Sequence, residues 1–170
     1  MSALTYGEMA QLFSFPNPVN EKAARTVAAG VVLMAVCALV FQQPWLLVVL
    51  ALGFLARVFT GPTLSPLGQF ATRAVAPRLE PKLVPGPPKR FAQGIGAVFT
   101  CAAAVLYFGF HLPLVAYALV GVIAVFAFIE AALAFCTGCF VFNLLMRAGV
   151  IPASVCLECQ NIWQRSGSAA

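Results

Sequence analysis

Apolar residues run through this chain in four long stretches separated by short polar breaks. A helix that crosses a bilayer needs about 20 mostly apolar residues, because the hydrocarbon core is about 30 Å thick. The first stretch covers about Ala23–Phe41, the third about Phe91–Phe110 and the fourth about Leu112–Cys136. The second, about Trp45–Phe59, is short for a crossing, so a re-entrant segment is its alternative. None alternates as a strand does, and only helices or closed barrels satisfy backbone polar groups in lipid. The pattern predicts an all-α membrane protein of four transmembrane helices.

The breaks predict how the helices connect. Gln42-Gln43-Pro44 and Phe110-His111-Leu112-Pro113 read as tight turns, giving two helical hairpins joined by residues 61–90. The chain ends and this long connection then share one side. All ten basic residues, from Lys22 to Arg165, fall on or near that side, and the tight turns carry none. Cytoplasmic loops are the ones enriched in Lys and Arg. The reading is a cytoplasmic segment 1–22, a membrane domain 23–136 with a cytoplasmic loop 61–90, and a cytoplasmic cysteine-bearing segment 137–170. Both termini lie inside, in a bacterial inner membrane, and the first apolar run is not expected to be a cleaved signal.

Composition agrees. The 170 residues are 62% hydrophobic and 9% charged, against about 25% charged in soluble domains. That excludes an ordinary cytosolic enzyme, a nucleic-acid-binding module and a disordered tail. The net charge of +5 is a topological signal and a handle on anionic lipid, with no nucleic-acid partner implied.

The loop holds seven prolines in thirty residues, and Pro85-Gly86-Pro87-Pro88 is expected to be extended or turned. Leu67, Phe70, Ala71, Ala74 and Val75 recur at helical spacing, with Arg73 and Arg78 off that stripe. This predicts a short amphipathic helix, lying in the membrane interface or packed under the bundle.

Chemistry concentrates in the cysteines. Cys136-x-x-Cys139, sixteen residues, then Cys156-x-x-Cys159 falls within the spacing of a four-thiolate zinc site. Two residues between cysteines let both sulfurs converge on one ion, and two pairs complete a tetrahedron. The alternative is a dithiol that exchanges with disulfides or carries sulfur, with Cys136 and Cys139 as the reacting groups. That chemistry needs a helix N-terminus or a nearby cation to favour thiolate. Here the fourth span is expected to run as helix through the pair. Unrelated packing cysteines are the third reading, and the one expected for Cys37 and Cys101 inside spans one and three.

Glu130 is the only acidic residue inside a span. An Arg57–Glu130 ion pair locking two helices is the expected role, ahead of a proton relay beside the thiols. On a straight helix Glu130 and Cys139 lie half a turn apart. His111 is isolated, and the chain has no aspartate, so hydrolase and kinase chemistries find no support. Gly94, Gly96, Ala97 and Ala102–Ala104 in the third span permit close helix approach, within the chain or between copies in a homo-oligomer or larger membrane complex.

Three segments occur in order: Gly61-Pro62-Thr63-Leu64-Ser65-Pro66-Leu67, Lys89-Arg90-Phe91-Ala92-Gln93 and Phe135-Cys136-Thr137-Gly138-Cys139. With them the chain, from about Val19 to Arg147, resembles the bacterial integral-membrane family catalogued as domain of unknown function 4395. The resemblance implies four spans with a cysteine pair ending the last. It also implies thioredoxin-like or rhodanese-like partners, hence thiol-redox or sulfur traffic. The expected function is a membrane thiol module. Its rivals are a structural subunit of a membrane complex, clamped by one zinc on Cys136, Cys139, Cys156 and Cys159, and a small oligomeric transporter.

Overall fold

A computed structural model describes residues 15–152 and 155–156; Cys159 and Arg165 lie outside them. Among the described residues six α-helices form: α1 (Glu21–Phe41), α2 (Trp45–Thr60), α3 (Pro66–Phe70), α4 (Gly86–Phe108), α5 (Pro113–Leu133) and α6 (Thr137–Arg147), and α3 runs on into a π-helical turn (Ala71–Val75) and a 3-10 turn (Ala76–Arg78). Two short strands, β1 (Val19–Asn20) and β2 (Leu83–Val84), pair antiparallel, Val19 with Val84 and Asn20 with Leu83.

Helices α1, α4 and α5 are long and apolar enough to cross a membrane, and α2 is a shorter apolar helix. Its 16 residues reach about 24 Å at 1.5 Å per residue. Leu33, Val40, Leu52, Val98, Leu114 and Phe128 stay exposed on the outer faces of these helices. Helices apolar on all sides belong in lipid or in a larger core. The chain is a membrane protein.

The helices pack chiefly as α2 on α4, α1 on α5 and α4 on α5. Val31, Leu47, Leu50 and Val120 fill the centre between small residues such as Ala35, Ala103 and Ala116. The closest approach is at Gly96, where a Cβ would lie 2.2 Å from the Phe54 ring. Gly96→Leu is therefore expected to destabilise the bundle by about 1–3 kcal/mol, measured by unfolding in mixed detergent micelles. Gly94, by contrast, faces open space.

Both tight turns form where the polar breaks place them. Gln42 ends α1 in the left-handed region at φ 49°, and His111 sits at φ 55° between α4 and α5. Local chemistry sets the helix starts. The Asn20 side chain accepts from the Lys22 N–H at 2.9 Å and caps α1. Ser65 caps α3 by accepting from the Gly68 N–H.

Two expectations change, and one choice between alternatives is made. Pro87 and Pro88 are not in an extended segment. They form the first turn of α4, which begins at Gly86, because the N–H groups that proline lacks have no intrahelical partner there anyway. The loop helix packs against the bundle. Leu67 seats over Gly30, where a Cβ would come within 2.5 Å of it, and Ala71 is fully buried, while Arg73 stays exposed. Lastly, α5 does not continue to Cys136. It stops at Leu133, with Ala134 left-handed at φ 57°.

Candidate functional site

The break at Ala134 follows from interactions that arrive from α1. The Arg25 guanidinium donates to the Ala131 carbonyl at 3.1 and 2.9 Å and to the Ala132 carbonyl at 3.3 Å. The last carbonyls of a helix lack intrahelical donors and carry the negative end of its dipole, so a cation there stabilises termination. Arg90 of α4 does the same for α2, donating to the Val58 carbonyl at 3.0 Å. With Glu21 paired to Lys82 at 2.8 Å, the start of α1, the end of α2, the start of α4 and the end of α5 gather at one end.

Glu130 and Arg57 lie in this cluster, but they do not form the expected ion pair. Lys89 takes the Glu130 carboxylate instead, at 2.5 Å. Arg57 donates from Nε to Gln93 Oε1 at 2.8 Å and from Nη1 to Ser65 Oγ at 3.2 Å, and its guanidinium lies 4.5 Å from the Phe54 ring centroid. It interacts with Glu130 only electrostatically. The reason is geometric. The N-terminal turn of α4 rises beside α5, so its lysine reaches the carboxylate first. Lys89 and Gln93 stand in the sequence only as ends of a segment that carries the family resemblance, with no role in a charge cluster, although their i, i+4 spacing places them on one helix face.

Beyond Ala134 the chain turns, and Cys136 becomes the residue that caps α6. Its Sγ accepts from the Cys139 N–H at 3.3 Å. Cys136 and Cys139 are joined as a disulfide, with their Cα atoms 5.2 Å apart. The pair therefore opens a helix instead of riding along one. A sulfur at a helix N-terminus faces unpaired N–H groups and the positive end of the dipole, which favour negative charge on it. Gly138 makes this placement possible. A Cβ there would lie 2.5 Å from Ala92 Cβ and 2.6 Å from Ala92 Cα, so only glycine lets the first turn of α6 rest on α4.

The helix is not straight here, and the kink brings Cys136, not Cys139, to the side of Glu130. Glu130 and Cys136 line one apolar cavity of about 150 Å³, together with Gln93, Phe54, Gly96 and Ile123. On the other side, both cysteines border a cleft with Glu21, Lys89, Pro88 and Asn143. Cys136 thus borders both spaces, and the cleft sets Val84, Phe135 and Phe140 beside its charged residues.

Cys156 is buried beside Phe142 and is itself disulfide-bonded. Among the described residues no three His, Cys, Asp or Glu side chains converge as metal ligands. Cys37 and Cys101 are unbonded thiols, half-buried in α1 and α4.

The sequence model of the family described as Domain of unknown function (DUF4395) matches residues 19–147. The chain belongs to this family. The matched DUF4395 region runs from the first residue of β1 to the last of α6. It contains the whole helical bundle and the Cys136–Cys139 pair, and it leaves Cys156 and Cys159 outside. No curated protein and no solved structure matches the chain.

Proposed function

We propose that this DUF4395 protein is a membrane-embedded thiol–disulfide exchange module, with Cys136 and Cys139 as its reacting pair. One observation carries the reading: a bonded Cys-x-Gly-Cys pair at a helix N-terminus, bordering a cleft that holds Glu21, Lys89 and Asn143. In the exchange, a thiolate of a soluble partner attacks one sulfur of the disulfide and forms a mixed disulfide. The partner's second thiolate resolves it. The partner leaves oxidised, and Cys136 and Cys139 are left as a dithiol. Two thiols become one disulfide and one disulfide becomes two thiols, so electrons and protons balance.

The partner is of the thioredoxin-like kind. A rhodanese-like persulfide donor is the sulfur-handling variant. There Cys136 accepts the outer sulfur and Cys139 displaces it as hydrosulfide, which restores the disulfide. In this reading α2 completes a four-span bundle of two hairpins. The loop, α6 and both chain ends face the cytoplasm of a bacterial inner membrane, as the grouping of basic residues supports. In that compartment a disulfide is a transient of a cycle.

Purified full-length protein tests this. With Cys139→Ser loaded as a mixed disulfide with thionitrobenzoate at its remaining Cys136, a reduced thioredoxin-fold partner variant lacking its second cysteine is expected to displace the thionitrobenzoate and stay trapped on Cys136. Cys136→Ser should trap at least tenfold less. Absence of any trapped species, with the disulfide still reducible by a small phosphine, would sink the exchange reading. One zinc per chain, lost in Cys139→Ser, would replace it with the zinc-clamped structural subunit. Substrate flux through reconstituted protein would replace it with the transporter.

A further inference from the structure

The charges around Arg57 do not balance. Arg57 and Lys89 are only 4% and 7% exposed, and the one carboxylate among them, Glu130, is committed to Lys89. The nearby Glu21 is held by Lys82. Arg57 Nη2 is buried with no hydrogen-bond partner among the described residues, although Nε and Nη1 are both engaged. A buried cation without a counter-charge is costly, as is a buried N–H without an acceptor, and the penalty grows in a membrane protein.

A cavity of about 260 Å³ adjoins this residue. Arg57 and Lys89 line it with Gln93, Asn20 and Thr72 among apolar residues such as Phe15, Pro16 and Val19, and among the described residues none of its lining is acidic. Gln93 Oε1 accepts from Arg57, and Asn20 Oδ1 accepts from the Lys22 N–H. The NH₂ ends of both amides are thereby left to donate. Donors arrive from the start of α1, the end of α2 and the start of α4, so they converge on the cavity from several directions. A planar carboxylate would use one guanidinium edge. A ligand with oxygens pointing several ways uses them all, and arginine is the residue suited to such oxyanions.

We propose that this cavity binds a tetrahedral oxyanion, either a free inorganic anion or the phosphate of a lipid headgroup, with Arg57 Nη2 and Lys89 as its principal donors. The site is a different cavity from those at the disulfide and stands whether or not thiol exchange occurs, although Lys89 also borders the cleft of Cys136 and Cys139, and Gln93 and Val27 border the cavity beside Cys136.

Full-length protein in phosphatidylcholine nanodiscs is the test, with sulfate, thiosulfate and phosphate titrated calorimetrically. A parallel arm measures retention of phosphatidylglycerol against phosphatidylcholine by native mass spectrometry. One saturable site per chain is expected for a free anion, or one selectively retained anionic lipid, and the arm that responds identifies the source. Arg57→Gln should weaken binding at least tenfold. Ala24→Phe, which fills the cavity and leaves every charge in place, should do the same and decides the matter if Arg57→Gln fails to fold. No binding in either arm would overturn the proposal, as would binding unchanged in Ala24→Phe.

Discussion

Glu130→Gln is expected to lower the unfolding free energy by about 3–5 kcal/mol, the range for removing one partner of a buried ion pair. The pair is well enclosed, with the Lys89 and Glu130 side chains 9% and 15% exposed. The glutamine would leave the lysine charged, with only a neutral carbonyl to meet it, and would also remove the negative charge nearest Arg57. Lys89→Met should cost a similar amount by stranding the carboxylate. The double variant Lys89→Met/Glu130→Leu should recover most of the loss, because apolar residues of similar volume commonly replace a buried pair at little cost. Unfolding in mixed micelles, followed by tryptophan fluorescence, reads all three. Single-variant losses below about 1 kcal/mol, the level of exposed pairs, would show that water reaches the carboxylate.

Gly138→Ala is expected to slow thiol exchange at least tenfold and to destabilise the α4–α6 contact by about 1–3 kcal/mol, as overpacking does. The added methyl would meet both Cβ and Cα of Ala92. Backbone cannot step aside as a long side chain can, so the first turn of α6 must lift from α4. That turn carries Cys139 and its N–H bond to Cys136 Sγ. Ala92→Gly in the same chain removes the Cβ clash and leaves the Cα clash, so partial recovery is the expected result. Stopped-flow exchange with a reduced thioredoxin-fold protein measures the rate. An unchanged rate in Gly138→Ala would mean that the cysteines work independently of the α6 N-terminus.

Much of the fold was legible because lipid imposes a simple rule. Long apolar runs become helices, and the polar Gln42-Gln43-Pro44 and His111 breaks become the turns between them. The cysteine pair was legible as a motif but was misplaced on the fourth span. Nothing near Ala134 marks a helix end, since the apolar run passes through it without glycine or proline. The donors that stop α5 come from Arg25, more than a hundred residues earlier. Partner choice among the buried charges was hidden for the same reason. Arg57 and Lys89 both lie near the loop-side end, and their sequence positions do not say which of them reaches Glu130.

By itself, then, the sequence determined the solvent, the helices, the turns and the end of the bundle that holds the charge. Each of these follows from residues close together along the chain, through hydropathy and backbone hydrogen-bonding need. Tertiary structure alone decided that α5 stops short of Cys136, that Lys89 holds Glu130, and that Gly138 lies against Ala92. It alone set Cys136 between an apolar cavity and the cleft that holds Glu21 and Lys89, and left Arg57 Nη2 without an acceptor among the described residues. These depend on distances between helices, which side-chain reach and backbone contact set only once the bundle has closed.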